Sequence, residues 1–144
     1  AAPVRPLSHP PQDLPHKAVR GGDRSGLGLW GEEQAARYLE SQGYQVTASR
    51  YRCREGELDL VAEGKGYLCF VEVKLRKDRD DAPFAVDAAK QRRISRAAVV
   101  YLAEHGLLGR PARFDVVSVG FDGARLDVRH IENAFPLARG RYFV

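Results

Sequence analysis

The stretch Glu57–Lys74, with the sequence ELDLVAEGKGYLCFVEVK, decides the fold of this chain. Apolar and polar residues alternate on both sides of Gly64-Lys65-Gly66, and a period of two is typical of β-strands. A glycine-containing turn between two such runs predicts a β-hairpin. The stretch therefore predicts two neighbouring antiparallel strands.

The predicted hairpin brings charged residues together. Asp59 lies on its first strand, whereas Glu72 and Lys74 lie on the second and project from the same face. This face is apolar at its start, so a partly buried charge on it needs a partner. Two carboxylates and a lysine can hold Mg²⁺ beside a phosphodiester and stabilise developing charge. The alternative is that Glu72 and Lys74 form only a salt-bridge pair.

A helix is predicted before the hairpin, over Trp30–Gln42, and Gly43 ends it. Glu32 lies on the same stripe as small apolar residues, which is unusual for a glutamate. It is either a third acid of the site or a residue at the helix start, where the positive end of the helix dipole favours a carboxylate.

The remaining pattern predicts a single domain after a tail. Residues 1–27 contain five of the eight prolines and form a predicted disordered, basic tail, and residues 28–144 form the predicted domain. The glycines at positions 26, 28 and 31 match a dinucleotide-binding pattern, but no strand precedes them, so we assign them to the helix start.

Further elements follow on both sides of the hairpin. The pattern predicts a first strand over Tyr44–Arg52, a charged loop over Lys77–Pro83, a second helix over Asp87–His105, and strands over Arg113–Val119 and Arg125–Ile131 joined by a turn at Asp122-Gly123. The order of elements predicts an α/β fold with a mixed sheet flanked by helices.

Charge is distributed unevenly along the chain. Residues 29–73 carry five basic and eight acidic side chains, and residues 74–96 carry eight basic and four acidic ones. An acidic stretch that could hold cations is thus followed by a basic one that could bind phosphates, although ordinary surface charge is the alternative. The basic side chains at the start of the second helix are Lys90, Arg92, Arg93 and Arg96.

Composition favours a soluble cytoplasmic protein. The two cysteines, Cys53 and Cys69, have no metal-ligand spacing, which favours a reducing compartment. No apolar run is long enough to span a membrane, and no signal-peptide pattern opens the sequence.

Several short motifs are spread over roughly residues 29–135. They are Gly31-Glu32 with Ala35-Ala36-Arg37-Tyr38-Leu39, Gly43-Tyr44, Gly56-Glu57-Leu58-Asp59-Leu60, Phe70-Val71-Glu72-Val73-Lys74, Lys90, Arg113-Phe114-Asp115-Val116-Val117, and His130 with Asn133-Ala134-Phe135. Together they resemble the YraN-like bacterial proteins, a family that is similar to the archaeal Holliday junction resolvases and the wider PD-(D/E)xK nucleases. The resemblance implies a restriction endonuclease-like αβββαβ core, a divalent-metal site and a nucleic-acid substrate.

The resemblance also implies roles for individual residues. Asp59, Glu72 and Glu32, with the backbone carbonyl of Val73, would bind Mg²⁺ or Mn²⁺, and Lys74 would lie beside the attacking water or the scissile phosphate. The nucleic-acid contacts are predicted separately, from the basic segment itself, and are Arg76, Lys90, Arg92, Arg93 and Arg96. Leu58 stands where the motif name has proline, a departure that is common in the fold. Arg50 stands where an asparagine is usual in the family, and this second departure is expected to alter the substrate rather than the chemistry.

Three functional hypotheses follow. The first is a metal-dependent endonuclease acting on DNA, with branched or junction structures as substrates. The second is a nucleic-acid-binding module with weak or no catalytic activity that works in a larger complex, and the third is a scaffold that binds no nucleic acid. DNA is favoured over RNA as the partner, no membrane partner is expected, and a homodimer would suit a two-fold symmetric junction.

Overall fold

A computed structural model describes residues 25–76 and 85–138 of the 144-residue chain. The elements are α1 (Ser25–Ser41), β1 (Gln45–Cys53), β2 (Gly56–Gly64), β3 (Tyr67–Leu75), α2 (Ala88–Glu104), β4 (Ala112–Asp122) and β5 (Arg125–Phe135). Their order and type confirm the predicted α/β fold. The charged loop predicted over Lys77–Pro83 and most of the predicted tail lie outside the described residues.

The five strands form one mixed sheet in the order β1-β2-β3-β4-β5. The β3–β4 pair is parallel and the other three pairs are antiparallel. Helix α2 connects the parallel strands, because such strands require a crossover rather than a tight turn. This arrangement places β3, which carries the predicted motif, at the centre of the sheet.

The predicted hairpin is confirmed by the β2–β3 pairing. Its turn consists of Lys65 and Gly66, with φ values of 54° and 86°. Positive φ at both central residues is the geometry that joins two antiparallel strands with a two-residue turn, and glycine adopts it readily. The turn fixes the register, so that Leu60 lies opposite Val71.

Each face of the sheet carries its own hydrophobic core. Helix α1 packs on one face, where Leu39 and Trp30 meet Cys69 and Val71. Helix α2 packs on the other, where Ile94 and Tyr101 meet Phe70, together with further residues of β2 and β4. Alternate residues of β3 therefore enter different cores, as the period of two predicted.

Helix α1 begins at Ser25, five residues before the predicted start at Trp30. The predicted boundary of the tail at residue 27 therefore falls inside a helix. The predicted assignment of the glycine pattern to the helix start also needs refinement, because Gly31 lies mid-helix and a Cβ there would stand 2.6 Å from Leu75 Cδ2. A Cβ at this position would therefore force the Leu75 side chain to move.

The β4–β5 hairpin also differs slightly from the prediction. Asp122 and Arg125 are paired residues, so the turn consists of Gly123 and Ala124 rather than Asp122-Gly123. Strand β5 continues to Phe135, beyond the predicted end at Ile131. The extension is stabilised by Asp115, whose side chain accepts a hydrogen bond from the Asn133 amide at 2.9 Å.

Asp115 is the centre of a buried polar network between β4 and β5. It is fully buried and accepts hydrogen bonds from Arg113 Nε at 3.0 Å and His130 Nε2 at 2.8 Å. The Arg113 guanidinium donates in turn to Tyr44 Oη at 2.6 Å. A buried carboxylate is tolerated when it is paired and fully hydrogen-bonded, and here the network joins β5 to the centre of the sheet.

None of the helices among residues 25–76 and 85–138 combines the length and the apolar character needed to cross a membrane.

Candidate active site

Asp59 and Glu72 form the centre of the candidate site. Leu60 lies opposite Val71 at the end of the paired part of β2 and β3, and Asp59 and Glu72, the next residue of each strand, both line one pocket. Asp59 Oδ2 accepts from the Val73 amide at 2.8 Å, which fixes its orientation. The structure thus brings the two predicted acids to one pocket, and their predicted role there stays a prediction.

Glu72 is a buried carboxyl group, only 7% exposed. Burial raises its pKa well above the usual range, and the neighbouring Asp59 raises it further, whereas Lys90 opposes both effects. Two facing carboxylates in a buried position repel each other unless a cation compensates them. The pair therefore has the chemistry of a cation site.

Lys90 supplies the cation in this structure. Its ammonium group forms an ion pair with Glu72 Oε2. Burial lowers the pKa of Lys90, but the hydrogen bond and charge of Glu72 outweigh burial and raise it overall. The sequence placed Lys90 among the nucleic-acid contacts, and the structure places it at the carboxylate pair. The alternative, in which Glu72 forms only a salt bridge with Lys74, is not favoured because Glu72 pairs with Lys90.

Lys74 Nζ donates a hydrogen bond to the Ala85 carbonyl at 3.1 Å. Ala85 lies just before α2, so the motif lysine connects β3 to the segment that leads into this helix. Lys74 is half-buried and two residues from Glu72 on the same strand. Its predicted role beside the reacting phosphate stays a prediction.

A pocket of about 400 Å³ opens above the carboxylate pair. Its lining consists of Arg52, Cys53, Gly56, Glu57, Asp59, Glu72, Lys90, Arg93 and Ile94. The β1–β2 turn forms one wall and α2 forms the other. The two walls approach closely at Gly56. A Cβ there would lie 2.7 Å from the Arg93 carbonyl oxygen, so only glycine fits at this position without a shift.

Glu32 lies on α1 and pairs with Arg50, with 3.7 Å between Oε1 and Nε. Burial raises the pKa of Glu32 to about 7, Asp59 raises it as well, and Arg50 lowers it. Glu32 is thus electrostatically coupled to the site. The alternative that it lies at the helix start is wrong, because α1 begins seven residues earlier and its first turn contains no acid.

The predicted three-carboxylate metal site is not assembled in this conformation. Within the described residues, no group of three or more His, Cys, Asp or Glu side chains has the arrangement of a metal site. Lys90 holds Glu72 and Arg50 holds Glu32, which explains why the three acids do not converge. The Asp59–Glu72 pair alone still fits Mg²⁺, which needs only one or two carboxylates besides water and phosphate.

Arg76 must be removed from the predicted nucleic-acid contacts. Its side chain is only 10% exposed, and Nη1 lies 3.0 Å from Asp127 Oδ2 on β5. The guanidinium therefore stabilises the sheet rather than facing a ligand. Arg92 and Arg93 are exposed on α2, Arg96 is half-buried, and of these three only Arg93 lines the pocket.

Sequence reasoning missed the residues of the β1–β2 wall. Arg52 lies on this wall and pairs with Glu57 at 3.4 Å, and both line the pocket. One signal was available, because Arg50 and Arg52 alternate on a predicted strand that precedes the acidic hairpin. The glycine at position 56 was also visible, but the helix that requires it is distant in sequence.

The backbone explains why asparagine would suit position 50. Arg50 has a φ of 53°, in the left-handed region where asparagine is several-fold enriched. Ser49 and Tyr51 pair with Leu60 and Leu58, so Arg50 faces the Asp59 position of β2. The departure noted in the sequence therefore places a cation beside Glu32.

We expect Arg50→Asn to be more stable than Arg50→Ala by about 1 kcal/mol in urea unfolding, because alanine bears the left-handed strain and asparagine bears less of it. Both variants lose the ion pair with Glu32, so their difference isolates the backbone effect. Equal stability of the two variants would contradict this explanation.

These features define an α/β protein whose five-stranded mixed sheet, flanked by two helices, is compatible with a restriction endonuclease-like core. The model of the uncharacterised protein family UPF0102 matches residues 31–119, and the chain belongs to this family. The resemblance to the YraN-like proteins is thereby confirmed. The matched range contains all four predicted catalytic residues, which are Glu32, Asp59, Glu72 and Lys74.

Individual relatives support the same assignment. A UPF0102 protein of Myxococcus xanthus is 48% identical over 115 residues, covering 78% of this chain and 91% of the relative. One from Pelobacter propionicus is 44% identical over 132 residues, with 88% and 94% coverage. A third, from Symbiobacterium thermophilum, is 50% identical over 113 residues, with 76% and 95% coverage.

Proposed function

We propose that this protein is a divalent-metal-dependent endonuclease that hydrolyses phosphodiester bonds in DNA, with branched or junction structures as its substrates. The observation that carries the proposal is the Asp59–Glu72 pair, which lies in a pocket whose walls carry cationic side chains. Carboxylates beside cations are what metal-assisted phosphodiester hydrolysis requires. A reducing cytoplasmic location, which the free cysteines suit, belongs to the same proposal.

The walls of the pocket suit a phosphate backbone. Arg52 lies on the β1–β2 wall and Arg93 on α2, so cations face the pocket from two sides. Arg92 and Arg93 extend the positive surface along the exposed side of α2. Arginine presents a planar fork of donors that matches phosphate oxygens, so a strand of nucleic acid would be held across the pocket opening.

In this proposal Asp59 and Glu72 would hold Mg²⁺ or Mn²⁺, and the Val73 carbonyl would supply a further oxygen ligand. The cation would make the attacking water more acidic and neutralise charge on the phosphate. Asp59 is preoriented for this task by the Val73 amide. Lys74 would orient the water or stabilise developing charge, and Glu32 would join the site only after Arg50 releases it.

The test is cleavage of junction, flap, single-stranded and duplex DNA, and of matched RNA, with Mg²⁺ or Mn²⁺. We expect cleavage of DNA that EDTA abolishes and that Lys74→Ala reduces on the order of a hundredfold without loss of the fold. Cleavage by a contaminating nuclease would be unchanged in the Lys74→Ala preparation. Absence of cleavage with either metal on the whole panel would overturn the proposal.

A binding module that lacks turnover is the second candidate. The ion pair between Lys90 and Glu72 favours it, because a lysine already compensates the charge that a metal would otherwise compensate. Salt-sensitive binding of DNA in the absence of metal, with no product after prolonged incubation with Mg²⁺ or Mn²⁺, would distinguish this function from the first.

A further inference from the structure

We infer that Lys90 is an exchangeable counter-ion that couples metal binding to phosphate binding. In the metal-free protein its ammonium group compensates the buried carboxylate pair, and metal binding releases it toward the phosphate backbone of the substrate. This inference rests on the proposed function, because it assigns to Lys90 a positioning role at the same site.

The ion pair joins a buried carboxylate to a half-exposed ammonium group. The side chain of Glu72 is 7% exposed, whereas that of Lys90 is 48% exposed. The backbone of Lys90 is fixed, because its amide donates to the Asp87 side chain that caps α2, at 2.8 Å. Its four-carbon side chain can therefore exchange partners without movement of the helix.

A divalent cation and the Lys90 ammonium compete for the same carboxylate oxygens. Glu72 pairs with Lys90 and lines the same pocket as Asp59, so a metal held by both acids would stand beside the ammonium. A metal cation and an ammonium group that contact the same carboxylate in a partly buried pocket repel each other strongly. The metal therefore has to displace Lys90, and the lost ion pair reduces metal affinity.

The displaced ammonium has a second acceptor when nucleic acid is bound. Lys90 and Arg93 are three residues apart, so they share one side of α2, and both line the pocket. A phosphate at the pocket opening would accept from both. Nucleic acid thus offsets the cost of displacing Lys90, and by linkage each ligand raises the affinity for the other.

The experiment measures Mn²⁺ binding by electron paramagnetic resonance, with and without a phosphorothioate oligonucleotide that keeps its backbone charge and resists hydrolysis. The proteins are the wild type, Lys90→Gln and the control Lys65→Gln. Lys65→Gln removes the same charge as Lys90→Gln, but Lys65 lies in the β2–β3 turn and does not line the pocket.

Without the oligonucleotide, we expect Lys90→Gln to bind Mn²⁺ about tenfold more tightly than the wild type, and Lys65→Gln to match the wild type. The oligonucleotide should increase the Mn²⁺ affinity of the wild type at least about fivefold and change that of Lys90→Gln much less. Circular dichroism checks the fold, and Lys90→Met, which keeps the apolar side-chain stem, should give the same result.

The outcomes separate the inference from the proposed function. If the wild type binds Mn²⁺ and cleaves DNA while both Lys90 variants bind Mn²⁺ with unchanged or lower affinity, the counter-ion role is wrong and the nuclease proposal stands. If neither the wild type nor the variants bind Mn²⁺ under any condition, both are wrong. Equal coupling in all proteins would also overturn the inference.

Discussion

Asp59→Asn is expected to reduce metal-dependent DNA cleavage at least about a hundredfold, the loss typical of removing a charge that stabilises the transition state. Asparagine keeps the shape of the side chain, and its amide oxygen can still accept from the Val73 amide. The negative charge that would hold the metal is lost. Initial rates on the preferred DNA substrate, measured over a series of Mg²⁺ concentrations, give the effect.

Glu63→Gln is the matched control for this change. Glu63 lies on the same strand, but it pairs with Arg110 at 2.7 Å, is partly exposed and does not line the pocket. We expect this variant to cleave at the wild-type rate. If Asp59→Asn keeps wild-type activity, or if both variants lose activity to the same extent, Asp59 is not a metal ligand.

Asp115→Asn is expected to lower the free energy of unfolding by about 3–5 kcal/mol, the usual cost of breaking a buried ion pair from one side. Asp115 is fully buried and accepts from Arg113, His130 and the Asn133 amide. Asparagine would remove the charge and point an N–H group at these donors. Arg113, only 10% exposed, would keep an uncompensated charge. Urea unfolding at pH 7 measures the loss.

The same network predicts how the loss depends on pH. Burial would raise the pKa of Asp115, but the hydrogen bonds from His130 and Arg113 outweigh burial and lower it below the usual range. A carboxylate with a lowered folded pKa stabilises the protein above its unfolded pKa of about 3.9, and this stabilisation disappears as pH falls through the folded value. The difference between wild type and Asp115→Asn should therefore shrink below pH 4.

Asp127→Asn is the control for Asp115. Asp127 also pairs with two arginines, and one of them, Arg76, is as buried as Arg113, but the Asp127 side chain is 28% exposed whereas that of Asp115 is fully buried. The two variants therefore differ mainly in the burial of the acid. We expect it to destabilise the protein by less than half as much as Asp115→Asn. Comparable losses in the two variants would show that burial of Asp115 is not what makes its network important.

Local patterns predicted the sheet and its hairpin because they depend on neighbours in the chain. Alternation in β3 separates Cys69 and Val71 from Leu68 and Phe70, and the structure divides these residues between the two cores. The start of α1 was less predictable. Gly26 and Gly28 have low helix propensity, yet the helix extends through them and carries Leu27 to the core on its side of the sheet.

The candidate site was predictable only in part. Asp59 and Glu72 were predicted to lie close together because the turn between their strands is short, and in the structure both line one pocket. The cations were harder to assign. Lys90 is 18 residues beyond Glu72, and only the packing of α2 on the sheet brings it to the carboxylates. Arg76 is basic and follows the motif directly, yet the β4–β5 hairpin buries it.

The sequence alone determined the order of the elements, the α/β fold and the proximity of Asp59 to Glu72. It could do so because alternation and turn chemistry act over a few residues. Only the tertiary structure decided which cation each acid meets. Lys90 approaches Glu72 from α2. Arg50, whose own backbone is left-handed, approaches Glu32 from β1. Charge partners across a sheet are set by helix packing and backbone conformation, which no local spacing encodes.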